Sequence, residues 1–421
     1  PQQLLGLYNQ GRLEEALQLG VSLSQQHPND ANIPNILGAV ETARGNYAEA
    51  IALYNKAIKL KPGRADFYNN LGAVLKKSGN PNLALSHYLK AIDIKTDFVE
   101  VYNNLGAILL EFPDRNEDVI FYLKKALILR PDYDNARNNL AVAFCNLGCL
   151  EEAEAQLQIG SFEAPRSHLL RQLYLRDDID RYTRQLEILL AQDATNAILG
   201  SVISRASLKY GSKFHNPFCS KPIDHVVVVD LNKVCNFGEV FIEPAKQVLT
   251  STKTQYKKQE LLESGKQTEG NVFSSLDDAW KQIEYYIRLE IEKYQNKFSD
   301  SKEGFITRWP SNYTLYGWLL NMQRGSRLKA HMHEKAWLSG SIYINVPTKI
   351  NSDDGNLVVC IEDDEMLAKT EANVKKVIDL STGTLCLFPA SCLHYTIPFD
   401  SHEDRVVLAF DVIPVAINKS S

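Results

Sequence analysis

Leu37-Gly38, Leu71-Gly72 and Leu105-Gly106 recur at a fixed interval of 34 residues, and Leu140-Ala141 follows after 35. Each unit then continues alike. Gly45 precedes Ala50, Tyr54, Ala57 and Pro62; Gly79 precedes Ala84, Tyr88 and Ala91. The fourth unit ends on Ala126 and Pro131, and in the fifth Gly148 precedes Ala153. Gly11, Ala16 and Pro28 hold the matching places in a first unit entered partway. A period of this length is a supersecondary unit that cannot bury its apolar face alone, so the units must stack into an elongated array.

The residue types specify two helices per unit. Small residues at Gly38, Ala50 and Ala57 allow close approach, with Tyr54 filling the groove between helices, and Pro62 stops the second helix because proline cannot continue its hydrogen bonding. The pattern resembles the tetratricopeptide repeat over about residues 1–165. Such arrays commonly present a concave face to a protein or peptide, and Asn69, Asn70, Asn103, Asn104, Asn138 and Asn139 recur on successive first helices. These side chains either hydrogen-bond an extended peptide or are simply solvated. From 166 to 210 the repeat signature is lost while an apolar stripe persists (Leu169, Leu173, Ile179, Tyr182, Leu186, Leu189), as expected of a helical cap or linker. Gly and Pro cluster in GSKFHNPFCSKP, and the boundary of a third region, 211–421, is placed there.

Composition narrows the function. A net charge of −5 announces no basic surface, which argues against nucleic acid as a partner. No apolar run approaches the roughly 20 residues of a membrane span; the longest, Val226–Val229, has the length of a buried strand. No signal peptide is visible in a sequence that begins at Pro1. Seven cysteines without a C-x-x-C pair point to a reducing, cytoplasmic setting, and Cys145 and Cys149, one helical turn apart, read as core residues.

Past Pro222 the periodicity changes. His225–Leu231 reads as a buried strand. A helix follows with Ser275 and Asp278 as its capping box and Trp280, Ile283, Ile287, Ile291 and Tyr294 as its apolar face. Strands are predicted at Tyr313–Met322, Leu338–Val346, Asn356–Cys360, Val374–Leu380, Thr384–Phe388 and Arg405–Val412, punctuated by Gly325, Pro347, Asp354-Gly355 and Thr382-Gly383. The expectation is an antiparallel sandwich or small barrel with a helix outside it.

Three histidines stand at or beside strand ends: His331, His333 and His394. In a strand, the spacing of His331 and His333 puts both on one face, as two ligands of one ion require. His394 can approach from a neighbouring strand, and Arg405 follows 11 residues later. His27, His87, His168, His215, His225 and His402 have no such setting and read as structural.

The segment HMHEKAWLSGSIYINVP (331–347), Gly383 to His394, and Arg405 resemble the double-stranded β-helix of 2-oxoglutarate/iron(II) oxygenases. The region 215–415 is similar to a bacterial and phage group often fused to helical repeats. The resemblance implies Fe(II) as metal and 2-oxoglutarate and O2 as cosubstrates. It places His331 and His394 on the iron and Arg405 on the 2-oxoglutarate carboxylate, with Tyr343 and Ser339 assisting. Where the family has a carboxylate ligand, this chain has His333. Three arrangements are open, with His333 as the third ligand, Glu334 swinging in, or water in the place; His333 is alternatively an outer residue that orients His331 or contacts substrate. Cys392 reads as a buried strand-end cysteine, and Trp318 and Trp337 as core residues or pocket walls. Three functions are compatible with this: hydroxylation of a protein or peptide side chain recruited by the array, oxidation of a small molecule or glycan, and metal binding without catalysis.

Overall fold

The computed structural model describes residues 1–158, 163–211, 214–252, 254–257, 261–275, 277–362 and 374–415. Two compact units emerge, Pro1–Pro165 and Arg166–Ser421.

In the first unit, successive helices pack pairwise: α1 (Gln2–Asn9), α2 (Leu13–Gln26), α3 (Asn32–Ala43), α4 (Tyr47–Leu60), α5 (Ala65–Lys77), α6 (Pro81–Ile94), α7 (Val99–Leu109), α8 (Asn116–Leu129), α9 (Asp134–Leu147) and α10 (Leu150–Leu157). The repeat glycines are there for clearance. A Cβ on Gly38 would lie 2.8 Å from the Tyr54 ring, and one on Gly72 would lie 2.7 Å from Tyr88. Each tyrosine is buried against the backbone of the helix before it, so the Gly and Tyr positions of one repeat are a single packing solution. Pro62 and Pro131 fall just past the ends of α4 and α8, as expected.

The second unit starts with helices α11 (Glu163–Leu175, which straddles the division), α12 (Ile179–Ala191) and α13 (Ala197–Tyr210). These helices group with the β-rich region in one unit, whose start coincides with the expected end of the repeat array at 165. Glu362, only 3% exposed, is held by Arg205 (2.7 and 2.8 Å) and by the Tyr174 hydroxyl at 2.7 Å. Asn216 Nδ2 donates to the Gly200 carbonyl at 2.8 Å across the Gly/Pro segment. An apolar stripe reveals that a face is buried but not what covers it.

Among the described residues ten strands follow: β1 (Val227–Asp230), β2 (Tyr256–Lys257), β3 (Leu262–Thr268), β4 (Tyr313–Leu328), β5 (Leu338–Asn345), β6 (Leu357–Cys360), β7 (Lys375–Ile378), β8 (Thr384–Pro389), β9 (Leu393–Thr396) and β10 (Arg405–Pro414). They form a seven-stranded sheet ordered β1-β8-β5-β10-β4-β3-β2 and a three-stranded sheet ordered β7-β6-β9, with antiparallel pairing throughout. One face of the large sheet packs on the helix α15 (Asp278–Lys297; α14 is Glu243–Thr250), burying Trp280, Ile283, Ile287, Ile291 and Tyr294 as expected. The other face meets the small sheet through Tyr343, Leu357, Val359, Phe388 and Val407. Strands β5 and β8 are thus covered on both sides, which is why they read as continuous apolar runs.

Two local expectations are corrected. The cap of α15 is Asp277, whose carboxylate accepts the Ala279 N–H at 3.0 Å, while Ser275 Oγ accepts the Asp277 N–H. The valine run is an edge strand with alternating exposure, because β1 pairs with β8 alone; His225 stands outside it in a short 3-10 turn. Among the described residues no helix is long and apolar enough to cross a membrane.

The substitution Arg205→Leu is predicted to remove a two-pronged ion pair from the buried Glu362 carboxylate and to cost about 3 kcal/mol. Urea unfolding of the full chain checks this, with the transition of the second unit moving to lower denaturant; an unchanged midpoint would show that α13 is not fastened there.

Candidate metal centre

The three histidines come together, but not by sharing a strand. His331 forms an isolated antiparallel bridge with His394: its N–H donates to the His394 carbonyl at 3.2 Å, and the return bond is 2.9 Å. His394 is carried by β9, opposite Val359 of β6. His333 lies beyond the bridge, in the segment leading to β5, and its ring swings back toward the other two. Ring centroids are 4.2 Å apart for His331 and His394, 4.9 Å for His333 and His394, and 5.1 Å for His331 and His333. One nitrogen from each lies within 4.8 Å of the others.

Hydrogen bonding fixes which nitrogens face inward. His331 Nδ1 lies 2.8 Å from the Lys329 carbonyl, and His333 Nδ1 lies 2.7 Å from Asp411 Oδ1. Carbonyl and carboxylate oxygens only accept, so both Nδ1 atoms carry a proton, and in the neutral rings both Nε2 atoms are bare. Those two Nε2 atoms face each other at 3.2 Å. Two lone pairs at that distance repel unless a cation lies between them. Nitrogens bound at ~2.1 Å to one ion, 90–109° apart, stand roughly 3.0–3.4 Å from each other. His394 Nδ1 is buried with no hydrogen-bond partner among the described residues, a third donor of the same kind. Burial, reinforced by the neighbouring imidazole of His333, lowers the pKa of His331 to about 3; burial likewise carries that of His394 well below the ordinary range. Neutral imidazole is the form that binds a metal.

The other expected residues separate into two groups. Glu334 points away, paired with Arg171 and lying 3.7 Å from His168. Ser339 belongs to the histidine end: its Oγ donates to Asp411 Oδ1 at 2.8 Å and lies 3.2 Å from His333 Nδ1. It does not join Tyr343, whose hydroxyl instead accepts from Ser341 Oγ at 3.2 Å. Arg405, 1% exposed at the start of β10, stacks its guanidinium 4.9 Å from the Tyr343 ring centre and donates to the Gly355 carbonyl. No carboxylate pairs with it among the described residues, and its Nε has no partner. A fully buried cation without a counter-ion is a strong acceptor site for an anion. Trp318 lies against His333 (ring centres 5.4 Å apart), whereas Trp337 packs on Phe218 and donates to the Phe305 carbonyl. Cys392 is buried outside the cluster. Asp411 and Ser341 were not singled out from the sequence. A lone carboxylate within the apolar run RVVLAFDV, on the same strand face as Arg405, is the signal that marks Asp411.

Between the two antiparallel sheets, a convergent imidazole cluster that could hold a metal ion lies toward one end, and a buried arginine with no carboxylate partner among the described residues lies toward the other. Residues 317–411 match the family model described as "Putative 2OG-Fe(II) oxygenase". Residues 38–79 match a TPR repeat model and residues 65–98 a tetratricopeptide repeat model. The chain therefore carries a stretch matching tetratricopeptide repeats followed by one matching that oxygenase model. No curated protein matches it. Among solved structures it is similar to MamA, with 18% identity over 41% of this chain and 95% of that one, at a TM-score of 0.34. A tetratricopeptide repeat protein from Parabacteroides merdae ATCC 43184 matches with 14% identity over 50% and 85%, at a TM-score of 0.44. YrrB, titled a TPR protein with an unusual peptide-binding site, matches with 20% identity over 40% and 88%, at a TM-score of 0.35.

Replacing His331 or His394 by alanine is predicted to weaken Co(II) binding by more than the ~10–100-fold typical of losing an outer partner. Glu334→Gln should leave it nearly unchanged. Calorimetric titration of the full chain reads both; tight binding by His394→Ala would refute the cluster as the site.

Proposed function

We propose that the chain is an iron(II)- and 2-oxoglutarate-dependent oxygenase that hydroxylates a protein or peptide side chain brought to it by the repeat array. The observation that carries this reading is the pair of bare Nε2 atoms on His331 and His333, facing each other at 3.2 Å with His394 alongside. A metal ion satisfies all three at once. Imidazole suits iron, and His331, His333 and His394 are assigned as its protein ligands. When bound, iron(II) and 2-oxoglutarate supply the oxidising power for hydroxylation by O2, with succinate and carbon dioxide as co-products.

The chain's own residues bind and orient. Arg405 offers the distal carboxylate of 2-oxoglutarate a charge-assisted, two-pronged contact, and its burial removes the competition of water. Tyr343 stacks on that guanidinium and is itself steadied by Ser341, so the fork is held before the cosubstrate arrives. Ser339 is assigned to His333 rather than to the cosubstrate, on the contacts described above. Trp318 supplies an apolar wall beside His333.

Support for a peptide partner comes from the asparagines. Asn70 Nδ2 donates to Asn35 Oδ1 at 3.0 Å, Asn104 to Asn69 at 2.8 Å and Asn139 to Asn103 at 3.0 Å, a ladder from repeat to repeat. Each link uses one donor and one acceptor of a side-chain amide, which leaves further amide donors and lone pairs for a peptide backbone. The seven free cysteines fit a reducing, cytoplasmic setting.

Anaerobic full-length protein mixed with iron(II) and 2-oxoglutarate should develop a visible charge-transfer band, then release succinate when O2 enters. Absence of both refutes the oxygenase reading. Arg405→Lys keeps the buried charge but loses the fork, and should weaken 2-oxoglutarate binding roughly 30-fold, about 2 kcal/mol, by titration of the band. Unchanged affinity would place the cosubstrate elsewhere.

A further inference from the structure

We infer that Asp411 is a positioning residue for the metal centre: it fixes His333 in the Nδ1-protonated form, so that Nε2 is the nitrogen presented to the metal. The inference rests on the metal-binding reading above and deepens it.

Asp411 stands on β10 directly opposite Ser339 of β5, 7% exposed, in a strand that is apolar apart from it and Arg405. Burying a carboxylate is costly unless its lone pairs are used. Here Oδ1 accepts twice, from His333 Nδ1 at 2.7 Å and from Ser339 Oγ at 2.8 Å. Ser339 thereby holds the carboxylate oxygen in place for the imidazole. Lys329 does the same for His331 with a neutral carbonyl, so both rings are locked by an outer acceptor, but only His333 has a charged one.

The charge has a consequence. Three neutral imidazoles leave a dication uncompensated, whereas the common two-histidine, one-carboxylate arrangement places a negative charge in the coordination shell itself. In this chain the carboxylate stands one residue outward, behind His333, where it holds the ring by its Nδ1 proton. Glu334, next to His333 in sequence, does not take this role because it is turned toward Arg171.

Two measurements on the full chain decide it. In metal-free, 15N-histidine-labelled protein, long-range 1H–15N correlation spectra should show His333 as the Nδ1–H tautomer, with its signals assigned from the His333→Ala spectrum. Asp411→Ala should mix the tautomers and weaken Co(II) binding by about 100-fold, and the near-isosteric Asp411→Asn by about tenfold. Ser339→Ala should give a smaller loss with the tautomer retained. If wild-type protein binds Co(II) and Asp411→Asn matches it in both affinity and spectrum, the positioning role is overturned while the metal centre stands. If wild-type protein binds no Co(II), the metal reading itself falls. If Asp411→Ala fails to fold, the Asp411→Asn pair of measurements still decides the question.

Discussion

Two imidazole lone pairs facing each other at 3.2 Å are the constraint on which the second unit turns. An isolated imidazole can turn either nitrogen toward a neighbour, and the simplest relief of such repulsion is to place a proton between the rings. A neutral ring has no proton to spare for this, because its one N–H is already used on the outer side, donating to a main-chain carbonyl in one case and to a carboxylate in the other. The surrounding scaffold supplies those acceptors. Strand β10 carries Asp411, β5 carries Ser339, and the bridge to β9 holds the main chain of His331.

The same two strands run from the histidine end to the arginine end. Alternate residues of β10 and β5 face the small sheet, so Asp411, Val407 and Arg405 share one side with Ser339, Ser341 and Tyr343. The apolar stretch between the two polar ends keeps water away from both, which strengthens every charge interaction there. The opposite face of the sheet is packed on α15 and carries no part of the site. That division lets one face be optimised for stability and the other bear an unpaired buried cation.

The repeat array was legible in the sequence because its signal is redundant. Glycine at one place and tyrosine or leucine sixteen or seventeen residues later state the same close approach three times over, at Gly38 with Tyr54, Gly72 with Tyr88 and Gly106 with Leu123. In the second unit, β5, β8 and β10 were readable to within about two residues from their apolar runs, and His331, His394 and Arg405 from spacing and resemblance. Strand β3, LESGKQT, carries no pattern of its own and exists because β4 offers it an edge. The attachment of α11–α13 was invisible because it depends on Glu362 meeting Arg205 across 157 residues of chain. Ser339 and Ser341 are chemically identical and two positions apart. Only the contacts show that the first serves the imidazole and the second the phenol.

The main-chain bridge between His331 and His394 bears on how an ion would enter and leave the proposed site. Ligands tied to each other through the backbone need no ordering when an ion arrives, so binding energy goes into affinity instead of into collecting a loose segment. Folding and metal loading then become separable events. The polypeptide can complete its sheets first and wait, with an ion entering or leaving as a local exchange that leaves the rest of the domain standing.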